Sequence, residues 1–283
     1  MTVKQLLREG ERLMRVGGCE NAQSESLWLL ESVLGCRREY ILLCGSDAVS
    51  PDRESEFLAK VGERVSGRPI QYILGSWDFM GNEFSVGEGV LIPRPETELL
   101  IEFAESRIKR GGVKTVLDLC AGSGCIGLSV AKLFPECKVY LIEKSEAAFA
   151  YLTENRRKLG CANAELICGD IFDGFEAFDI PQPDIILSNP PYIESGDIPT
   201  LQREVLREPA MALDGGEDGM DFYRAIAERW LPCCKAAAVE CGEGQASGIK
   251  ELFSELFAFV DTVTDFGGVE RAVIGEERKQ NDF

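Results

Sequence analysis

Not one histidine occurs among the 283 residues of this chain. Its absence removes the commonest general base, the usual partner of an activated serine or cysteine, and the commonest metal ligand together. Hydrolase triads of the histidine type are excluded. The 11 cysteines do not fill the gap, because none stands in a Cys-x-x-Cys pair and no metal site is expected. Their odd number and scattered spacing lack the framework of an oxidised secreted domain, so they read as reduced, mostly buried thiols. Only Cys120/Cys125 and the adjacent Cys233-Cys234 are candidates for redox chemistry. Long apolar runs are missing too, so no membrane span is expected. Met1-Thr2-Val3-Lys4-Gln5 lacks the charged-then-apolar pattern of a secretory signal. These absences point to a cytoplasmic chain.

Positive charge is scarce, and unevenly so. The formal net charge is −18, of which residues 1–80 carry only −2, with 10 Lys/Arg against 12 Asp/Glu. The remainder, at −16, repels phosphate backbones and argues against a surface that grips nucleic acid directly. What is present is ordinary for a soluble globular protein: 45% hydrophobic and 28% charged residues, enough for two domains with real cores.

The first part of the chain has helical spacing. Thr2 caps an expected helix carrying Val3, Leu6, Leu7, Leu13 and Met14 on one face. Ala22–Leu34 reads as a second helix stopped by Gly35, Arg38–Leu43 as a short third, and Ser50-Pro51-Asp52 as the capped start of a fourth. Alternating apolar residues between Asp78 and Ile92, around Gly81-Asn82, suggest a β-hairpin. The expected organisation is a helical domain over residues 1–76, a hairpin connector over 77–93 and an α/β domain over 94–283. In the last, strands at Thr115–Leu119, Lys138–Ile142, Ala164–Cys168, Asp184–Leu187 and Ala236–Glu240 alternate with helices. Two more, Val260–Asp265 and Glu270–Ile274, form a terminal antiparallel hairpin. Such alternation predicts a mostly parallel, Rossmann-like sheet with its ligand at the strand C-terminal ends.

Three acids are expected at those ends. Gly122-Ser123-Gly124-Cys125-Ile126-Gly127 matches the dinucleotide fingerprint, and Glu143 stands where a ribose-binding acid belongs. Asp118 enters the same loop through Leu119, Cys120 and Ala121; a carboxylate there suits a cationic amino-acid moiety and repels a pyrophosphate. Asp170, followed by Ile171, ends the third strand within reach of an adenine amino group. Singly each acid reads equally well as a cap or turn residue. Together they fit S-adenosylmethionine better than NAD.

The fourth strand runs into Asn189-Pro190-Pro191-Tyr192. Asn189 offers a side-chain acceptor, Pro191 restrains Pro190 so that its carbonyl points in a fixed direction, and Tyr192 offers a flat face. This set suits a planar –NH2 group under attack at nitrogen, in adenine or in a glutamine amide. A bare Pro-Pro would read as a kinked loop.

These motifs, with Arg68-Pro69-Ile70-Gln71-Tyr72-Ile73-Leu74-Gly75, Ile92-Pro93-Arg94-Pro95-Glu96-Thr97-Glu98 and Leu213-Asp214-Gly215-Gly216-Glu217-Asp218-Gly219, resemble the release factor glutamine N5-methyltransferases of the HemK/PrmC type, nearly end to end. The resemblance implies a small all-α N-terminal domain for substrate recognition before a class I S-adenosylmethionine-dependent methyltransferase domain. It implies methylation of the glutamine in the Gly-Gly-Gln motif of peptide chain release factors. A monomer is expected. Asn189, Pro190, Pro191 and Tyr192 would hold the substrate, and Asp118, Cys120, Ala121, Gly122, Ser123, Gly124, Glu143, Asp170, Ile171 and Asn189 the cofactor. Relatives commonly have Gly-Thr where this chain has Cys120-Ala121, so Cys120 is expected at negative φ, free of strain. Ile171 would meet the adenine by aliphatic contact. The alternatives are an adenine-N6 nucleic-acid methyltransferase, a ribosomal-protein glutamine methyltransferase, which differs at Arg94–Glu98, and a dinucleotide enzyme of another class.

Overall fold

The computed structural model describes residues 1–279, and they divide into two compact units. One comprises Met1–Ser76 with Gln202–Arg207, the other Trp77–Leu201 with Glu208 onward.

The first unit is helical: α1 (Val3–Val16), α2 (Ala22–Leu34), α3 (Arg38–Leu43), α4 (Pro51–Val65) and α5 (Ile70–Leu74). Thr2 and Gln5 make a reciprocal cap, Thr2 Oγ1 accepting from the Gln5 amide at 3.3 Å and Gln5 Oε1 from the Thr2 amide at 2.9 Å. Ser50 stands at the start of α4, but its hydroxyl makes no capping bond; Pro51 alone sets the entry. Leu6, Met14, Leu29, Leu30 and Phe57 fill the core. Between α2 and α4 runs a buried ion pair: Arg64 gives Nε to Glu25 Oε2 at 2.7 Å and Nη2 to Oε1 at 3.1 Å. Arg64 Nη1 also holds Glu204 Oε1 at 2.7 Å, which binds the Gln202–Arg207 segment into this unit.

The second unit opens with a hairpin, β1 (Ser76–Phe79) and β2 (Asn82–Ser85). It turns on two left-handed residues, Met80 at φ 52° and Gly81 at φ 68°. Then follow α6 (Glu98–Arg110), β3 (Thr115–Leu119), α7 (Cys125–Leu133), β4 (Lys138–Glu143), α8 (Glu146–Leu159), β5 (Ala164–Cys168), β6 (Ile185–Ser188), α9 (Asp221–Arg229), β7 (Ala236–Glu240), α10 (Ala246–Ser254), β8 (Phe257–Thr264) and β9 (Glu270–Arg278). The strands lie in the order β5-β4-β3-β6-β7-β9-β8. Those from β5 to β7 run parallel, and β9 is antiparallel to both neighbours, joined to β8 through Gly267-Gly268 as the expected terminal hairpin. Buried faces on both sides explain why β3, β6 and β7 read as nearly unbroken apolar runs.

The strand order reverses beside β3. From β3 the chain winds outward through β4 and β5, then returns to lay β6 and β7 on the other side. A doubly wound sheet opens a crevice at that switch point, outside the carboxyl ends of the strands. Registers align those ends: Leu119 stands opposite both Ile142 and Ser188, Ser188 opposite Val239, and Glu143 opposite Cys168. The glycine loop, Glu143, Asp170, Asn189 and Glu240 therefore lie along one edge.

Candidate active site

The loop after β3 turns sharply through three left-handed residues, Cys120 at φ 59°, Gly122 at φ 56° and Gly124 at φ 83°. At Gly124 a Cβ would stand 2.5 Å from Leu152 Cδ1. At Gly127 it would stand 2.5 Å from Leu141 Cδ2 and 2.9 Å from Asp118 Oδ2, so glycine lets α7 close onto the sheet. The expectation for Cys120 is overturned: it does adopt positive φ. The loop geometry demands a left-handed residue at that point, and Cys120 meets the demand at a steric cost.

Asp118 lies under this loop, fully buried. Its Oδ2 accepts from the Gly127 amide at 2.8 Å, while Oδ1 has no partner. Burial pushes its pKa up to about 8, against the Gly127 hydrogen bond and with help from the Glu143 charge. Glu143 accepts from the Gly122 amide through Oε2 and from Ser145 through Oε1, both at 2.7 Å. Burial raises its pKa, opposed by those amides. Asp170 accepts from the Phe172 amide at 3.0 Å and pairs with Lys144 at 2.6 Å. Partial burial works against its ionisation, but Lys144 and the amide outweigh it and hold the carboxyl below its usual range.

Above the loop is an open-mouthed cavity, about 970 Å³ with the solvent at its mouth included. Its walls include Cys120, Ala121, Gly122, Ser123, Glu143, Asp170 and Ile171. Asn189 and Pro191 line it too, with Leu91, Arg94, Thr97, Met211 and Phe222. Four of the residues singled out from sequence lie behind this wall: Asp118, Gly124, Pro190 and Tyr192. The walls suit a nucleoside carrying a cation, with aliphatic surface at Ile171 and Ala121 and carboxylates at Glu143 and Asp170.

Two segments tie the Asn189 loop down. Gln245 Nε2 donates to the Tyr192 backbone carbonyl at 2.8 Å, and the Tyr192 hydroxyl donates to Glu240 Oε1 at 3.4 Å. Gly215 packs so tightly that a Cβ there would lie 2.7 Å from Tyr192 Cα, and one at Gly219 would lie 2.4 Å from the Tyr192 carbonyl oxygen. Asn189 Nδ2 donates to Thr97 Oγ1 at 3.3 Å, and Thr97 donates on to Glu240 Oε2 at 2.5 Å. Glu208 accepts from the Ile92 amide at 2.9 Å and pairs with Arg94, fixing the segment that delivers Thr97.

Thr97 and Glu240 escaped the sequence reading. Thr97 belongs to a segment whose proline and acids read fully as a helix start. Glu240 was legible, since it is one more acid at a strand C-terminal end, the rule that found Glu143 and Asp170. The cysteines are free thiols, and burial raises the pKa of Cys120 and Cys125, which keeps both protonated. Cys233 is likewise pushed up to about 11 by burial.

Sheet order, terminal antiparallel pair and glycine-loop cavity together define a class I methyltransferase, the class that takes its methyl group from S-adenosylmethionine. Two family models match, the PrmC N-terminal domain over residues 5–75 and the methyltransferase small domain over residues 95–219. The release factor glutamine methyltransferase of Geobacter sulfurreducens is 37% identical over 97% of this chain and 96% of its own length. That of Moorella thermoacetica is 33% identical over 99% and 100%. Among solved structures, the hMettl16 catalytic domain in complex with MAT2A 3'UTR hairpin 1 shares the fold alone, with a TM-score of 0.55 at 12% identity over 82% of each chain. The chain belongs to the release factor glutamine methyltransferase family.

Proposed function

We propose that this chain methylates the side-chain amide nitrogen, N5, of the glutamine in the Gly-Gly-Gln motif of peptide chain release factors, working as a cytoplasmic monomer. The observation that carries the reading is Asn189 on the wall of a cavity that also presents Glu143 and Asp170. When bound, S-adenosylmethionine supplies an electrophilic methyl group on a sulfonium centre. Asp170 and Glu143 would hold its nucleoside, Ile171 would cover the base, and the glycine loop would carry its amino-acid end above Asp118.

An amide nitrogen is a poor nucleophile because its lone pair is delocalised, so alignment matters more than a strong base. Asn189 Oδ1 accepts an amide hydrogen from the cavity wall, holding the –NH2 group in place and stabilising positive charge as it develops. Tyr192, anchored to Glu240 and Gln245, holds the loop that aims this acceptor. Alignment of this kind supplies on the order of 7–11 kcal/mol in favourable cases. No step calls on histidine. The helical unit is the proposed site of release-factor recognition. The charge of −16 outside residues 1–80 disfavours the nucleic-acid alternative.

Transfer of labelled methyl from S-adenosylmethionine to purified release factor, with a Gln-to-Ala change in the Gly-Gly-Gln loop as control, tests the reading. Labelling should require the glutamine; equal labelling of the control sinks the assignment. Asn189→Ala should lower kcat by at least about a hundredfold while calorimetric cofactor affinity stays near wild type. Undiminished turnover would refute the role of Asn189.

A further inference from the structure

We propose that Thr97 and Glu240 form a polarity relay that positions Asn189, deciding which side of its amide group is offered to the substrate; this rests on the acceptor role given to Asn189 above. The side-chain amide of asparagine is nearly symmetric in shape and opposite in chemistry at its two ends. A site that needs the oxygen outward must specify that orientation. Packing cannot do so, because –NH2 and =O fill the same space. Hydrogen bonding can.

The chain of bonds begins at the end of β7, where Glu240 is 3% exposed. An ionised carboxylate only accepts. Thr97 Oγ1 lies 2.5 Å from Glu240 Oε2, so its one hydrogen is committed to the carboxylate. Its lone pairs can then only accept, and the group 3.3 Å away must be the Asn189 –NH2. Asn189 Oδ1 is left for the cavity. The other carboxylate oxygen accepts from Tyr192, the last residue of the same tetrapeptide, at 3.4 Å. Tyr223 on α9 donates its hydroxyl to the Glu240 backbone carbonyl at 2.8 Å, which fixes the strand end itself. One acid therefore touches or directs both ends of the Asn189–Tyr192 motif.

Protonation of Glu240 reverses the polarity. A neutral carboxyl can donate to Thr97, releasing the threonine hydrogen toward Asn189 and favouring the flipped amide. An outward –NH2 would then face the –NH2 of the substrate, donor against donor. Burial and the Glu96 charge raise the Glu240 pKa to about 7, against Thr97, Arg94 and Tyr192, which favour the ion. The other ionisable groups facing this pair are Cys125 at the start of α7, Cys241 next along the chain, and Arg271 on β9, which faces Tyr192. Because the Glu240 pKa is raised, the ionised, correctly poled relay is present above about pH 7 and is lost as pH falls through that value.

The test uses the intact protein with purified release factor. Wild-type kcat should fall about tenfold per pH unit on the acid side, and Glu240→Gln should abolish that limb. Thr97→Val keeps the shape and removes the hydroxyl. It should lower kcat roughly tenfold to a hundredfold, with KM and cofactor affinity nearly unchanged, and Thr97→Ser should restore most of the loss. A contact that merely ties this segment to β7 would move melting temperature or KM and leave the acid limb in place. Wild-type kcat in Thr97→Val, or an acid limb surviving in Glu240→Gln, overturns the relay. The 15N side-chain amide signal of Asn189 gives a readout independent of turnover. It should titrate in wild type and be pH-insensitive in Glu240→Gln. No titration overturns the relay even where transfer is robust. Failure of wild type to label glutamine, with the titration intact, overturns only the acceptor reading.

Discussion

A cysteine in the left-handed region is the least expected residue of the site. Cys120 stands at φ 59° without the freedom of glycine and without the short polar side chain that eases asparagine into that region. Its side chain packs on the buried cluster around Leu119 and Ile142 and also faces the cavity. Cys120→Gly relieves roughly 1–2 kcal/mol of left-handed strain. The mobile unfolded glycine takes back roughly 0.5–1 kcal/mol, and lost packing takes more. The expected net change in urea denaturation is within about 1 kcal/mol of zero. Cys120→Val keeps the bulk and adds a β-branch, so a loss of roughly 1–3 kcal/mol is expected. A valine variant as stable as wild type would show that the loop relaxes out of the left-handed region. The same scale separates Asn189 from Tyr192. Both were read from one tetrapeptide, yet only Asn189 lines the cavity, and Tyr192 serves as an anchor.

Elements that follow from local patterns were legible: the capped helix at Thr2, the stop at Gly35, the parallel strands as apolar runs, the terminal hairpin at Gly267-Gly268. The helix Ile70–Leu74 was not, because five residues are too few for a helical period to show. The site divides the same way. Acids at strand ends can be read because the strand itself announces where it ends. Thr97 and Glu240 meet across 143 residues, and no local pattern encodes a partner at that separation. The ion pair of Arg64 with Glu25 is another such contact, 39 residues apart. It joins α2 to α4 with both charges nearly removed from water, Arg64 at 6% and Glu25 at 5% exposure. Removing one partner strands the other. Arg64→Ala should therefore destabilise the helical unit by about 3–5 kcal/mol, read from the urea midpoint of its transition. Replacing both, as Arg64→Leu with Glu25→Leu, should recover most of the loss, since a buried pair offers little over apolar contact. If the double variant is no more stable than Arg64→Ala, the loss lies in packing and not in the uncompensated charge.

Across the whole molecule, titration sets stability and turnover against each other. Burial raises the carboxyl pKa of Asp118 to about 8 and of Glu240 to about 7, and raises that of Glu143. A raised folded-state pKa means that the native protein holds these protons more tightly than the unfolded chain. Their contribution is complete below the ordinary carboxylate range and is lost as pH rises through the folded values. Asp170, Asp184 and Glu204 have lowered pKa values: in each, burial opposes ionisation and a basic partner, Lys144, Lys235 or Arg64, overcomes it. Their contribution is present above the ordinary range and is lost as pH falls below it. The two groups bracket an optimum close to the ordinary carboxylate range, at about pH 4. Repulsion within a chain of formal charge −18 steepens the decline above it. Melting temperature should therefore peak in that acidic window and fall toward pH 8, where the relay through ionised Glu240 gives full turnover. Added salt should recover the share due to surface repulsion and leave the buried share untouched. Asp118→Asn should flatten the remaining slope, because an amide keeps the Gly127 hydrogen bond without an ionisation to suppress. A melting temperature that climbs steadily from pH 5 to 8 would mean that these carboxyls are ionised in the native state. The acidity of this domain would then be a matter of its surface alone, and Glu240 could not act as a switch within the working range of the enzyme.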